Sequence, residues 1–72
     1  MGGERSRGIT EREREILKWL KAGKDTWDIS TIMRITQRTV HFHVQNLKKK
    51  LDVSTRAQAV AVAIERELID RG

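Results

Sequence analysis

Apolar residues recur along this chain at helical spacing. Ile16, Leu17 and Leu20 share a face in one segment, and Trp27, Ile29, Ile32 and Met33 recur in a second. Val40, Val44, Leu47 and Leu51 repeat in a third, and Ala57, Val60, Ala61, Ile64 and Leu68 in a fourth. At about 100° per residue, the sets in the third and fourth segments each collapse onto one core-facing stripe. The punctuation agrees with the pattern. Thr10 with Glu13, and Thr55 with Gln58, have capping-box spacing, while Asp25 and Thr36 are placed to cap the second and third segments. Gly23 can turn left-handed and end the first helix. The third helix is predicted to run to about residue 51 and the fourth to about residue 69. No stretch alternates β-branched residues, and no Asn-Gly or Asp-Gly turn occurs. The expectation is an all-α, four-helix bundle over residues 9–70. Residues 1–8, which carry Gly and Arg without periodicity, read as a disordered tail or linker.

The third segment shows the most. Opposite its apolar stripe lie Arg38, Phe42, Gln45 and Lys49, flanked by His41 and Asn46. Side chains of this kind carry the donors and acceptors that meet base edges and phosphates. Phe42 is the odd member, and partial packing against a neighbouring helix is expected for it. Two short helices joined through Arg34, Ile35 and Thr36, the second basic and amphipathic, describe a helix-turn-helix. Ile29 and Met33 brace the second of the pair. Thr36 satisfies the first amides of the third helix and leaves its positive end for phosphate.

Charge sharpens this picture. The net charge is +5, from 15 Lys and Arg against 10 Asp and Glu. Between positions 34 and 50 stand five basic residues, Arg34, Arg38, Lys48, Lys49 and Lys50, and no acid. The whole excess falls there, which is where a polyanion would be met. The same composition excludes several classes. With no cysteine there is no disulfide framework and no thiol nucleophile. His41 and His43 point about 200° apart on a helix and have no carboxylate at the spacing of a zinc site, so no metal is expected. Neither a Gly-rich phosphate loop nor a nucleophile elbow occurs, so no enzyme and no cofactor are expected. The longest apolar run, from Ala59 to Ile64, is six residues, far below the roughly 20 a membrane helix needs. The reading is a cytoplasmic, nucleoid-associated protein with no small-molecule ligand in this stretch.

On the fourth helix a second small-residue surface, Ala59, Val62 and Arg66, lies behind the apolar stripe, and a monomer has no need of it. Its size suits a weak homodimer that pairs on DNA.

These residues together resemble a known family. The stretch from Ile9 through Thr10, Glu11, Arg12, Glu13, Arg14, Glu15, Ile16 and Leu17 is followed by Gly23 and by Thr39, Val40, His41, Phe42, His43 and Val44. Then come Lys50, Leu51, Asp52 and Val53, and Arg56, Ala57, Gln58, Ala59 and Val60. In this order they resemble the LuxR-type (GerE-type) helix-turn-helix domain of bacterial transcription regulators, over about residues 9–69. Trp27, Asp28, Ile29 and Ser30 resemble its acyl-homoserine-lactone-responsive branch, the one associated with quorum sensing. The resemblance implies a tetrahelical DNA-binding domain with the third helix (about 37–51) for recognition and the fourth (about 56–69) for dimerisation. By position it implies base contacts for His41 and Gln45, with Phe42 beside them. Phosphate contacts are implied for Arg38, Thr39, Lys48, Lys49 and Lys50, to which the capping position adds Thr36. His41 departs from the Lys, Arg or Asn common there.

The function expected is sequence-specific binding of double-stranded DNA, at a palindromic operator, as the effector domain of a transcription regulator. The alternative is a helical interaction module whose basic helix docks an acidic partner such as an RNA polymerase subunit.

Overall fold

The computed structural model describes residues 8–71. The predicted tail falls almost wholly outside them. Four helices follow in order: α1 (Glu11–Lys21), α2 (Thr26–Met33), α3 (Gln37–Leu51) and α4 (Arg56–Glu65). The described residues contain no strand, and the all-α, four-helix expectation holds.

Every helix begins on the cap read from the sequence. The Thr10 hydroxyl accepts from the Glu13 amide at 3.1 Å while Glu13 Oε1 accepts from the Thr10 amide at 2.9 Å. Asp25 and Asp28 exchange the same pair of bonds at α2, and Thr55 and Gln58 do so at α4. At α3, Thr36 accepts from the Thr39 amide at 3.0 Å. Each cap satisfies amides that the first turn leaves without partners.

The helix ends are also alike. In each, the residue after the one with positive φ sends its N–H back five positions: Lys24 to Trp19, Ile35 to Ser30, Val53 to Lys48 and Leu68 to Ala63. This is the Schellman closure, which needs one left-handed residue. Gly23 supplies it after α1, but Arg34, Asp52 and Glu67 supply it elsewhere, at φ of 59°, 58° and 61°. The last of these corrects an expectation. α4 stops at Glu65 and does not reach residue 69, because the chain turns left-handed at Glu67 and folds Ile69 back into the core. Lys21 Nζ then ties this return down by donating to the Asp70 carbonyl at 2.6 Å.

The core draws on all four helices: Ile16 and Leu17 of α1, Ile29 and Met33 of α2, Val40, Val44, Leu47 and Leu51 of α3, and Ala59 and Ala63 of α4, closed by Ile9 and Ile69. α3 is the centre, packing on α1, α2 and α4, while α1 also packs on α4. Its stripe is buried as predicted.

Trp27 and Ile32 are 59 % and 42 % exposed, so α2 buries only Ile29, Ser30 and Met33, the first and last being the expected braces. One apolar assignment reverses. On α4 the two faces are exchanged: Ala59 and Ala63 are fully buried, whereas Ala57 and Ala61 are exposed. Val60, Val62, Ile64 and Leu68 are half-buried at the flanks. A helix pressed against two others comes closest where its side chains are smallest, so alanines four apart face inward. The proposed pairing surface of Ala59, Val62 and Arg66 is thereby corrected. Ala59 is enclosed at 1 % exposure, Val62 packs on the core, and only Arg66 is exposed.

Candidate nucleic-acid interface

α2, the Arg34–Thr36 connection and α3 form the expected helix-turn-helix. Ile29 and Met33 lie in the same buried cluster as Val40 and Val44, which fixes α2 across α3 and leaves the outer face of α3 open. Fifteen residues make that face about 22 Å long. It presents Arg38, His41, Phe42, Gln45 and Lys49, all exposed, and no acid. The structure brings these five together as the sequence predicts, with one difference. Phe42 is 60 % exposed, so the expected packing against a neighbouring helix is absent. Its ring stands edge-on to His43, centroids 5.6 Å apart, which steadies an aromatic group that otherwise meets water.

His41 and Gln45 are in direct contact, their Nε2 atoms 3.2 Å apart. Thr36 uses its hydroxyl twice, accepting from the Thr39 amide and donating to Thr39 Oγ1 at 2.9 Å. The Thr39 hydroxyl proton therefore stays free to donate to an incoming oxygen.

The Lys48, Lys49 and Lys50 run divides. Lys48 and Lys49 stand in the last turn of α3, where cations suit the helix dipole, and Lys49 is exposed. Lys50 is directed elsewhere. Its ammonium donates to both Glu13 oxygens, at 2.8 and 3.1 Å, and Glu13 is only 3 % exposed. The phosphate role expected for Lys50 is corrected on that ground: its ammonium is paired with buried Glu13, joining α1 to α3. Spacing marks Glu13 only as a cap, and its partner lies 37 positions away, beyond the reach of local spacing.

Four cations of the basic segment are left without an acidic partner among the described residues: Arg34, Arg38, Lys48 and Lys49. Arg56 donates to Thr26 Oγ1 at 2.8 Å and links the starts of α2 and α4. No group of three His, Asp or Glu among the described residues could hold a metal ion. No helix there is long and apolar enough to cross a membrane.

Comparison with known proteins decides the family. The description "Bacterial regulatory proteins, luxR family" (GerE) matches residues 7–63. This chain belongs to the LuxR family of bacterial regulatory proteins. It is 46 % identical over 56 residues to the transcriptional activator protein LuxR of Aliivibrio fischeri, covering 78 % of this chain and 22 % of that protein. Identity to the transcriptional activator protein SolR of Ralstonia nicotianae is 47 % over 66 residues, or 92 % of this chain and 28 % of SolR. The quorum sensing-dependent regulator RpaR of Rhodopseudomonas palustris is 49 % identical over 61 residues, 85 % of this chain and 25 % of RpaR. A solved structure of the transcription factor GerE superposes with a TM-score of 0.80 at 38 % identity, covering 83 % of this chain and 90 % of GerE. The chain thus spans about a quarter of the length of these curated relatives. It is a helix-turn-helix DNA-binding domain of the transcription-regulator kind, not an enzyme.

Proposed function

We propose that this LuxR-family domain reads a specific duplex sequence by laying α3 in the major groove. One observation carries the reading: the outer face of α3 holds Arg38, His41, Phe42, Gln45 and Lys49, with no acid and no packing partner. Phe42 and the Gln45–His41 pair are assigned to the bases; Arg38, Thr39, Lys48 and Lys49, with the N-terminus of α3 capped by Thr36, are assigned to phosphates. The palindrome is read by a homodimer that forms on DNA. Its pairing surface is the outward side of α4, with Ala57 and Ala61 exposed and Val60 and Ile64 at the edges. That strip is small against the roughly 800 Å² per partner of a standard interface, which supports pairing on DNA in preference to a stable free dimer.

The relatives are transcriptional activators and a quorum sensing-dependent regulator, and we infer the same output for the protein, acting in the cytoplasm at the nucleoid. An activator also has to touch RNA polymerase. Trp27 and Ile32, two large apolar side chains on the surface of α2, support that helix as the polymerase-facing surface while α3 is occupied by DNA.

Selection of binding sites from random duplexes with this chain tests the reading. A palindromic consensus is expected, with half-site centres about one helical turn apart. The three cations assigned to phosphates, Arg38, Lys48 and Lys49, should give a salt slope of about −2.7 per protomer. Equal affinity for selected and scrambled duplexes would refute sequence reading and leave only an electrostatic anchor.

A further inference from the structure

Gln45 and His41 stand one turn apart on α3, and their Nε2 atoms approach to 3.2 Å. Among the described residues neither side chain has another hydrogen-bond partner. A glutamine amide nitrogen only donates. Contact between two nitrogens is therefore a hydrogen bond only if the imidazole Nε2 accepts, with the ring neutral and its proton on Nδ1. The donation uses one of the two amide hydrogens. The other remains free beside Oε1, so the open edge of Gln45 offers one donor and one acceptor.

That edge has a base complement. Adenine presents N7 as acceptor and N6 as donor in the major groove, whereas guanine presents two acceptors, N7 and O6. Turning the amide over would give Oε1 to the ring side and leave two donors outward, the pattern suited to guanine. Which base Gln45 prefers is thus decided by which way its amide is held, and His41 is what holds it.

We infer that His41 is a positioning residue that makes Gln45 select adenine over guanine, the two side chains acting as one reading unit. This rests on the reading of α3 as the groove-entering helix. It also explains why a ring with an acceptor nitrogen stands at position 41: a Lys or Arg there could only donate and would turn the amide over.

The experiment uses the whole chain at about pH 8, with the selected operator carrying each of the four bases in turn at every position. Wild type should prefer adenine over guanine about tenfold at one base pair of each half-site, and Gln45→Ala should abolish that preference. His41→Ala should reduce it to about twofold at the same base pair. His41→Gln, whose Oε1 offers an acceptor at similar reach, should restore it. If His41→Ala flattened a different base pair, His41 would be reading for itself and the proposal would fall, with groove reading intact. Should wild type show no preferred site, groove reading would fail first and the proposal with it. Nitrogen-15 spectra of the free protein give a readout independent of DNA. The His41 ring should carry its proton on Nδ1 in wild type and lose that bias in Gln45→Ala. A ring protonated on Nε2 in wild type would overturn the assignment outright.

Discussion

Removing the ammonium of Lys50 separates a strut from a phosphate contact. Glu13 is buried at the start of α1 and accepts three hydrogen bonds, two from Lys50 and one from the Thr10 amide. Lys50→Met keeps the aliphatic stem and deletes only the charge. What is left is a carboxylate at 3 % exposure with its counter-ion gone. Breaking a fully buried pair costs about 3–5 kcal/mol, and an exposed pair is worth about 1 kcal/mol or less. The Lys50 side chain is 36 % exposed, so water reaches one partner and the cost should fall between these limits, near 2 kcal/mol. In a domain of this size that lowers the melting temperature by about 8–16 °C.

Thermal unfolding followed by circular dichroism measures it, with Lys49→Met as the control. Lys49 is exposed and free of acidic partners among the described residues, so its loss should leave the melting temperature within about 2 °C. A double-mutant cycle with Glu13→Gln should show coupling of about 1 kcal/mol or more. If Lys50→Met melted like wild type and weakened DNA binding as Lys49→Met does, the strut assignment would be wrong. Lys50 would then return to the phosphate set.

Other outcomes follow from the same geometry. Glu67→Gly should stabilise the fold by about 1 kcal/mol, since a left-handed non-glycine residue carries a penalty that glycine escapes, and chemical denaturation would read the gain. On α4, Ala63→Leu should cost at least about 2 kcal/mol by overpacking, whereas Ala61→Leu should change stability by less than about 0.5 kcal/mol; the reverse order in denaturation would restore the original facing of the helix. Ala61→Glu should weaken binding to a palindrome far more than to a single half-site, measured by gel shift on both probes. Lys49→Met should weaken all duplexes alike and lower the salt slope by about 0.9.

The elements most readable in the sequence were those where two independent signals agreed. At α3 a strong apolar stripe and a capping Thr36 pointed to the same boundaries, and the helix runs over Gln37–Leu51 as expected. α4 had a clear start and an ambiguous face. Ala57, Ala59, Ala61 and Ala63 alternate with Val60, Val62 and Ile64, so apolar residues surround the helix and its periodicity has little direction. Larger side chains were expected inside. Packing chose the opposite face, because two neighbouring helices leave room for methyl groups and not for branched chains. Its end was equally hidden: the stop is made by Glu67 in a left-handed conformation that composition does not announce.

The interface was legible for a different reason. A face of α3 that is polar, basic and free of acids contributes nothing to the core, and its purpose could be read without knowing what lay beneath. Partnerships across the fold were the part that spacing could not supply. Glu13 and Lys50 are 37 positions apart, and nothing local distinguishes Lys50 from Lys49 beside it. Helical phase does: one step along α3 is about 100°, enough to carry a side chain from the groove face to the α1 seam. Adjacent lysines of one run thus face different surroundings: Lys50 pairs with Glu13 and holds α3 to α1, while Lys49 is exposed on the outer face, where the proposed reading puts a phosphate. The division also limits how DNA binding can be tuned. Substitution at Lys49 should change affinity without loss of fold, whereas Lys50→Met should lower stability through the loss of its pair with Glu13.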